Sequence, residues 1–245
     1  MRDSKHWSNR SKTALVTGAS SGLGREICKL LQQQGMRLIA TGRKNLPEAH
    51  AAVTADLRHE RHKILELIEK EVPDVVINCA GAGAYGPALD HPLDLLDINA
   101  NAPIEITLVA ARTLLRAKKT GVILNVSSAA GLIPMPYLAL YSAAKAALTS
   151  FSRSFDAEMR PFDIRILVSL PGQINTDFAF QASKGKYRQE GGMKKEWVAK
   201  RIMRQIAHQI PYEVIDGNTK FQIFLAKLLP SLANRLIMKG LRKRF

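Results

Sequence analysis

The chain has 245 residues, 46% apolar and 23% charged, enough for one α/β domain and too few for two full ones. No stretch reaches the ~18 consecutive apolar residues of a spanning helix. Two cysteines, Cys28 and Cys79, give no disulfide framework and suit a reducing compartment, so the cytoplasm is the expected location. The formal net charge of +15 is confined to residues 1–12, 184–204 and 218–245, where only Asp3, Glu190 and Glu196 oppose it; the rest is close to neutral. Charge carried on appendages, with 6% aromatic content and no basic–aromatic interleaving in the core, argues against a nucleic-acid partner.

The polar opening, residues 1–12, lacks the apolar run of a secretory signal and reads as an arm. TALVTG (13–18) reads as a buried strand ending in glycine, and Leu23, Ile27, Leu30 and Leu31 then recur at helical spacing up to the stop at Gly35. MRLIATG is a second strand and AAVTADL a third, with little room for a helix between them. RHKILELIEKEV is an amphipathic helix; its His59, His62 and Glu66 read as a solvated face, and no metal site is expected. DVVINCAG is a fourth strand, residues 92–116 a long helix, and GVILNVSS a strand. The helix containing LYSAAKAAL (140–148) and the strand IRILVSLPG follow. Strand–helix alternation from Thr13 to Gly172 predicts a single Rossmann-type, doubly wound parallel sheet over residues 13–217.

The first βα turn, Thr17-Gly18-Ala19-Ser20-Ser21-Gly22-Leu23-Gly24, joins a strand to a helix, the context in which glycines build a dinucleotide site. Gly18 permits the turn, Gly22 lets backbone N–H groups approach a pyrophosphate, and Gly24 allows close helix–strand packing. Tyr141 and Lys145 stand four apart, on one helix face. Taken alone, that pair fits a tyrosine at the edge of a core and a lysine passing it.

With its T-G-x-x-x-G-x-G spacing the sequence resembles the short-chain dehydrogenase/reductase family. The resemblance continues through NCAG (78–81), Asn99, Ser128, Tyr141, Lys145 and PGQINT (171–176), covering about residues 12–178. It implies an NAD(P)-dependent enzyme with Asn99, Ser128, Tyr141 and Lys145 as catalytic residues. Tyr141 would be the general acid/base, its pKa lowered by the Lys145 cation and the oxidised cofactor, and Ser128 would hydrogen-bond the reacting oxygen. Lys145 would also hold the nicotinamide ribose, and Asn99 position a relay water, with Asn101 its rival for that role. The cofactor-binding set implied is Gly18, Ser20, Ser21, Gly22, Leu23, Gly24, Arg43, Asp56, Leu57, Asn78, Ala80, Gly81, Tyr141, Lys145, Pro171, Gly172, Ile174 and Thr176. Within it, Asp56 would lie near the adenine amino group, Ile174 near the carboxamide and Thr176 near a phosphate or amide. The family also implies a homo-oligomer, dimer or tetramer.

Where enzymes preferring NAD carry an acid after the second strand, this chain has Gly42, then Arg43 and Lys44. Arg43 can pair with a 2′-phosphate, so NADP(H) is the expected cofactor, with NAD(H) the alternative. Residues 177–205 correspond to the family's substrate lid, in which Phe178, Phe180, Tyr187 and Met193 form an apolar wall or pack on one another. Unlike many relatives, the sequence shows no last strand. It ends in a basic amphipathic helical extension (218–245), which Pro230 divides and whose seven Lys/Arg face no acid. Such a segment contacts a membrane surface peripherally, or docks on the lid or a subunit. The expected function is reduction of an apolar or lipid-like ketone or aldehyde, reversibly oxidation of an alcohol; the rival is a non-catalytic dinucleotide sensor or membrane-surface scaffold.

Overall fold

The computed structural model describes residues 12–186, 191–233, 235 and 237. Residues 1–11, Tyr187, and Leu236, Leu241 and most of the final basic run lie outside them.

The chain runs β1 (Thr13–Thr17), α1 (Gly22–Gln33), β2 (Arg37–Gly42), β3 (Ala51–Thr54), α2 (Arg61–Glu71), β4 (Val75–Asn78), α3 (Asp94–Leu96), α4 (Ala102–Arg116), β5 (Gly121–Val126), α5 (Ala139–Met159) and β6 (Ile164–Leu170). Two short strands, β7 (Ile174–Asn175) and β8 (Met193–Lys194), flank α6 (Phe178–Ala182); α7 (Lys195–Ala207), β9 (Tyr212–Val214) and α8 (Gly217–Leu228) complete it. The main sheet is wholly parallel, in the order β3-β2-β1-β4-β5-β6-β9. Parallel neighbours need crossovers, and the direction of winding reverses between β1 and β4, opening a crevice at their carboxyl ends.

The strands read as unbroken apolar runs because both faces are covered. Side chains alternate: Ala14, Val16, Leu38 and Val122 pack with Ile27 and Leu31 of α1 and with Val198 and Ile202 of α7. Leu15, Ile39, Val76 and Ile123 pack on the other face with Ile64 and Ile68 of α2 and with Ile106 of α4. Each fully buried Leu or Ile contributes about 2 kcal/mol of apolar transfer energy.

Three expectations need correction. The lid expected over 177–205 divides, because Val198, Ala199, Ile202, Met203 and Ile206 of α7 are buried against the sheet and α1, leaving α6 and the strands beside it at the cleft. The single helix expected over 92–116 is α3, a π-helical turn (Asp97–Asn101) and α4. Pro103 has no N–H to return to Asn99, and the buried Asn99 side chain takes the Leu95 carbonyl, so the regular ladder is interrupted there. A seventh strand is present after all: β9 extends β6, and its central Glu213 is buried beside Arg201 of α7. A charged centre in a three-residue strand leaves no apolar run to read.

At the C-terminus, Ile223 and Ala226 of α8 pack on Ile133, Val168, Leu170 and Val214. The helix breaks at Leu229 and helical turns resume at Pro230, whose missing N–H is harmless at a first helical position. Among the described residues no helix is long and apolar enough to cross a membrane.

Candidate active site

A cleft of about 1260 Å³ follows the carboxyl ends of the central strands. At its middle lies the β1–α1 turn, where Gly18, Ser20, Ser21, Gly22, Leu23 and Gly24 all reach the cleft wall. The turn closes tightly: a Cβ on Gly24 would stand 2.2 Å from the Gly18 carbonyl oxygen. Ser21 places no side-chain cap on α1, so the helix presents its first N–H groups to the cleft, a cradle for a diphosphate. Thr17 Oγ1 accepts hydrogen bonds from the N–H groups of Cys79 and Ala80, 3.2 Å each, tying this turn to the end of β4, where Ala80 and Gly81 also line the cleft.

Towards β3 the cleft is bounded by Arg43, Asp56 and Leu57. Arg58, which sequence reasoning missed, grips Asp56 in a fork, Nε to Oδ1 at 3.1 Å and Nη2 to Oδ2 at 2.9 Å, and reaches Asp94 at 3.3 Å. That grip, with the nearby Arg43 charge, pushes the Asp56 carboxyl down to about 2. Gly42 carries no acid, and a Cβ there would press on the side chains of Leu46 at 3.0 Å and Ser20 at 3.2 Å.

The opposite end holds Ser128, Tyr141 and Lys145. Ser128 lies two residues past β5 at the head of a 3₁₀ turn that lies against α5; a Cβ on Gly131 would come within 2.7 Å of the Lys145 backbone. This close approach sets Ser128 beside Tyr141 on one cleft wall, where its hydroxyl favours the ionised phenol. Lys145, 4% exposed, donates from Nζ to the Val126 carbonyl at 2.9 Å and stands 5.8 Å from the Tyr141 ring centroid. Lys145 does not by itself depress the tyrosine pKa as expected. Burial raises the Tyr141 phenol to about 12, against the Ser128 hydroxyl, and neighbouring Tyr85 and Cys79 push the same way. Burial also lowers Lys145 to about 8, so its ammonium persists at neutral pH and is lost on the mildly alkaline side.

Two of the expected residues do not line this cleft. Asn78, expected to bind the cofactor, turns into the protein and donates to Asn125 Oδ1 at 2.8 Å and to Thr107 and Pro103 at 3.2 Å, welding β4 to β5 and α4. Asn99 is buried, donating to the carbonyls of Ala82 at 2.7 Å and Leu95 at 2.9 Å. It lies just behind the wall: a Cβ on Gly81 would sit 3.1 Å from Asn99 Oδ1 and 3.7 Å from Lys145 Nζ. Its rival Asn101 is exposed and bonds Asp97.

The remaining wall comes from Pro171, Gly172, Ile174 and Thr176, from Phe178, Phe180 and Met193, and from Tyr85. Tyr85 had no motif to announce it; the loop after β4 places it there, with its N–H donating to the Ala182 carbonyl of α6 at 2.9 Å. The uncapped helix end, Asp56 on one side and the Ser128–Tyr141–Lys145 group on the other suit a dinucleotide laid across the switch point.

A doubly wound sheet with such a cleft defines the class of dinucleotide-dependent α/β oxidoreductases. Residues 12–186 match the family model described as short chain dehydrogenase, and the chain belongs to that family. It is 29% identical over 245 residues to dehydrogenase/reductase SDR family member 7B of Xenopus tropicalis, covering 89% of this chain and 78% of that one. It is 26% identical over 278 residues to the NADPH-dependent 1-acyldihydroxyacetone phosphate reductase of Saccharomyces cerevisiae, covering 97% and 92%. A short-chain dehydrogenase of Burkholderia cenocepacia solved with NADP superposes with a TM-score of 0.81 at 20% identity, covering 94% and 98%. Family members act on small molecules with a nicotinamide dinucleotide, NADH or NADP in the solved examples.

Proposed function

We propose that the protein is an NADP(H)-dependent carbonyl reductase acting on a ketone or aldehyde with an apolar, lipid-like body. One observation carries the reading: Tyr141, with Ser128 beside it and Lys145 one helical turn on, lines the same cleft as the glycine turn. Held by the glycine turn, a reduced nicotinamide dinucleotide would supply hydride for the carbonyl carbon. Tyr141 donates its proton to the carbonyl oxygen, which leaves an alcohol. Ser128 holds that oxygen while negative charge gathers on it. A phenol kept protonated by burial is fitted to donate across the neutral range. Lys145 and Asn99, on either side of Gly81, would return a proton to Tyr141 after each turnover.

Arg43 at the mouth, an Asp56 carboxylate neutralised by Arg58 and a glycine rather than an acid at position 42 favour a 2′-phosphate. Phe178, Phe180 and Met193 favour an apolar substrate body. The yeast relative, named for NADPH and an acyl-bearing ketone, fits both points. The reading includes contact of residues 218–245 with a membrane from which such a substrate is drawn. Initial rates with NADPH and with NADH on long-chain ketones test it. Arg43→Ala is expected to raise KM for NADPH at least tenfold and leave NADH unaffected. Equal rates with both cofactors in wild type and variant contradict the cofactor assignment.

A further inference from the structure

Helix α8 has two faces of different kinds. Thr219 and Ile223 are buried, and Ala226 packs beside them. At 3.6 residues per turn, Phe221, Phe224, Leu225 and Leu228 fall on the opposite side, where they are 61%, 61%, 39% and 63% exposed. Leu229 and Leu232, each 48% exposed, prolong the ridge past the break. Contiguous large apolar side chains at this exposure mark a surface that meets a partner. Lys220 and Lys227 lie two turns apart along one flank. From Gly217 onward the chain has seven Lys/Arg and no acid, and the adjacent Asp216 is engaged in capping the helix.

That pattern fits an interfacial helix: apolar face in the acyl boundary, lysines reaching back to the headgroups. It fits a second copy of the chain poorly, because a two-fold pairing of the ridge would bring both lysine flanks together with no acid to meet them. The helix is also built into the cleft. Asn218, Thr219 and Gln222 line it, and the first turn packs so closely on the Pro171–Gly172 loop that a Cβ on Gly172 would lie 2.2 Å from Thr219 Oγ1.

From this we infer that the outer face of α8 docks on a bilayer with anionic headgroups and holds the cleft mouth against it, so that the apolar carbonyl substrate enters from the membrane. The entry route rests on the carbonyl-reductase reading; the docking does not.

The test is co-sedimentation of the full chain with phosphatidylcholine vesicles, with and without phosphatidylserine. Wild type is expected to sediment with the anionic vesicles. Phe221→Ser combined with Phe224→Ser is expected to abolish this. Lys220→Gln combined with Lys227→Gln should weaken it roughly 30-fold on anionic vesicles and leave neutral ones unchanged. Thermal melting and NADPH fluorescence titration should be the same in all three proteins, since these side chains are exposed and outside the cleft. Turnover of a long-chain ketone carried in vesicles should fall in the phenylalanine variant, while that of a short water-soluble ketone stays at the wild-type rate. Wild type that binds NADPH but no vesicle, or a phenylalanine variant that sediments like wild type, overturns the docking. So does a vesicle-free dimer in sedimentation velocity that the phenylalanine variant dissociates, which would assign the ridge to a second copy. Loss of the long-chain and short-chain rates together overturns the entry route. Absence of NADPH binding or reduction in vesicle-free solution defeats the enzyme reading instead and leaves the vesicle result standing.

Discussion

Phe178 of α6 lies over the ring of Tyr141, the two centroids 5.6 Å apart and the planes inclined at 54°. The lid and the proposed acid are thus one packed unit. Removing the Phe178 ring admits water to the phenol and strips one apolar wall from the substrate site. Phe178→Ala is therefore expected to lower kcat/KM for an apolar carbonyl about tenfold. It should also shift the alkaline limb of the pH–rate profile towards lower pH, because burial is the leading cause of the raised Tyr141 pKa. Steady-state kinetics across pH measure both.

Lys145 gives a stability prediction of definite sign. Its folded pKa lies near 8 against the ordinary 10.5, so between these values the unfolded chain binds the extra proton. Stability then rises with pH across that window, and below about 8 the folded state bears the full cost of a buried ammonium. Lys145→Met should stabilise the protein at pH 7 by up to about 3 kcal/mol, with the difference from wild type shrinking from pH 8 to 10.5. Comparing the two proteins isolates this group from Cys79 and Tyr141, whose raised values act oppositely at high pH. Urea unfolding at stepped pH reads the difference.

Arg58 touches the cleft only through Asp56. Arg58→Gln frees a carboxylate that Arg58 holds near 2 and leaves it facing the proposed 2′-phosphate. KM for NADPH should rise about tenfold and KM for NADH much less. Equal rises would mean that Arg58 only shapes the loop, and Arg58→Lys, restoring charge without the fork, should recover part of the loss.

Gly24→Ala should abolish tight NADPH binding, since the new methyl would overlap the Gly18 carbonyl at 2.2 Å. The turn must open to accept it, moving the helix N-terminus away from the diphosphate cradle. Fluorescence titration with NADPH is the readout, and a dissociation constant within threefold of wild type would refute the role given to this turn.

The sequence made the sheet legible where strands are buried on both faces. Thr13–Thr17 and Val75–Asn78 are unbroken apolar or β-branched runs up to their last residue, and the lack of a helix between β2 and β3 followed from an eight-residue connection. β9 was hidden because the residue at its centre, Glu213, is charged and finds its partner, Arg201, on α7 twelve residues earlier. The glycine turn was legible from its spacing between strand and helix, and Ser128, Tyr141 and Lys145 from their resemblance to the family pattern; all of them line one cleft. Tyr85 has no such spacing and is brought to the cleft by the loop after β4, while Arg58 stands two residues from Asp56 in a turn whose fork no periodicity announces. Asn78 sits in a legible motif, yet strand alternation turns its side chain to Asn125 and away from the cleft. The weight of burial on Tyr141 and Lys145 was not legible, because it depends on how deeply the two groups are desolvated, a property of packing that spacing does not carry.

The most direct test of the central claim is NADPH consumption on a long-chain ketone by wild type and Tyr141→Phe, with NADPH affinity measured alongside. The proposed chemistry requires a loss of about 10³-fold in kcat with NADPH binding unchanged. Turnover by the phenylalanine variant near the wild-type rate would show that Tyr141 does not supply the proton and would contradict the proposal.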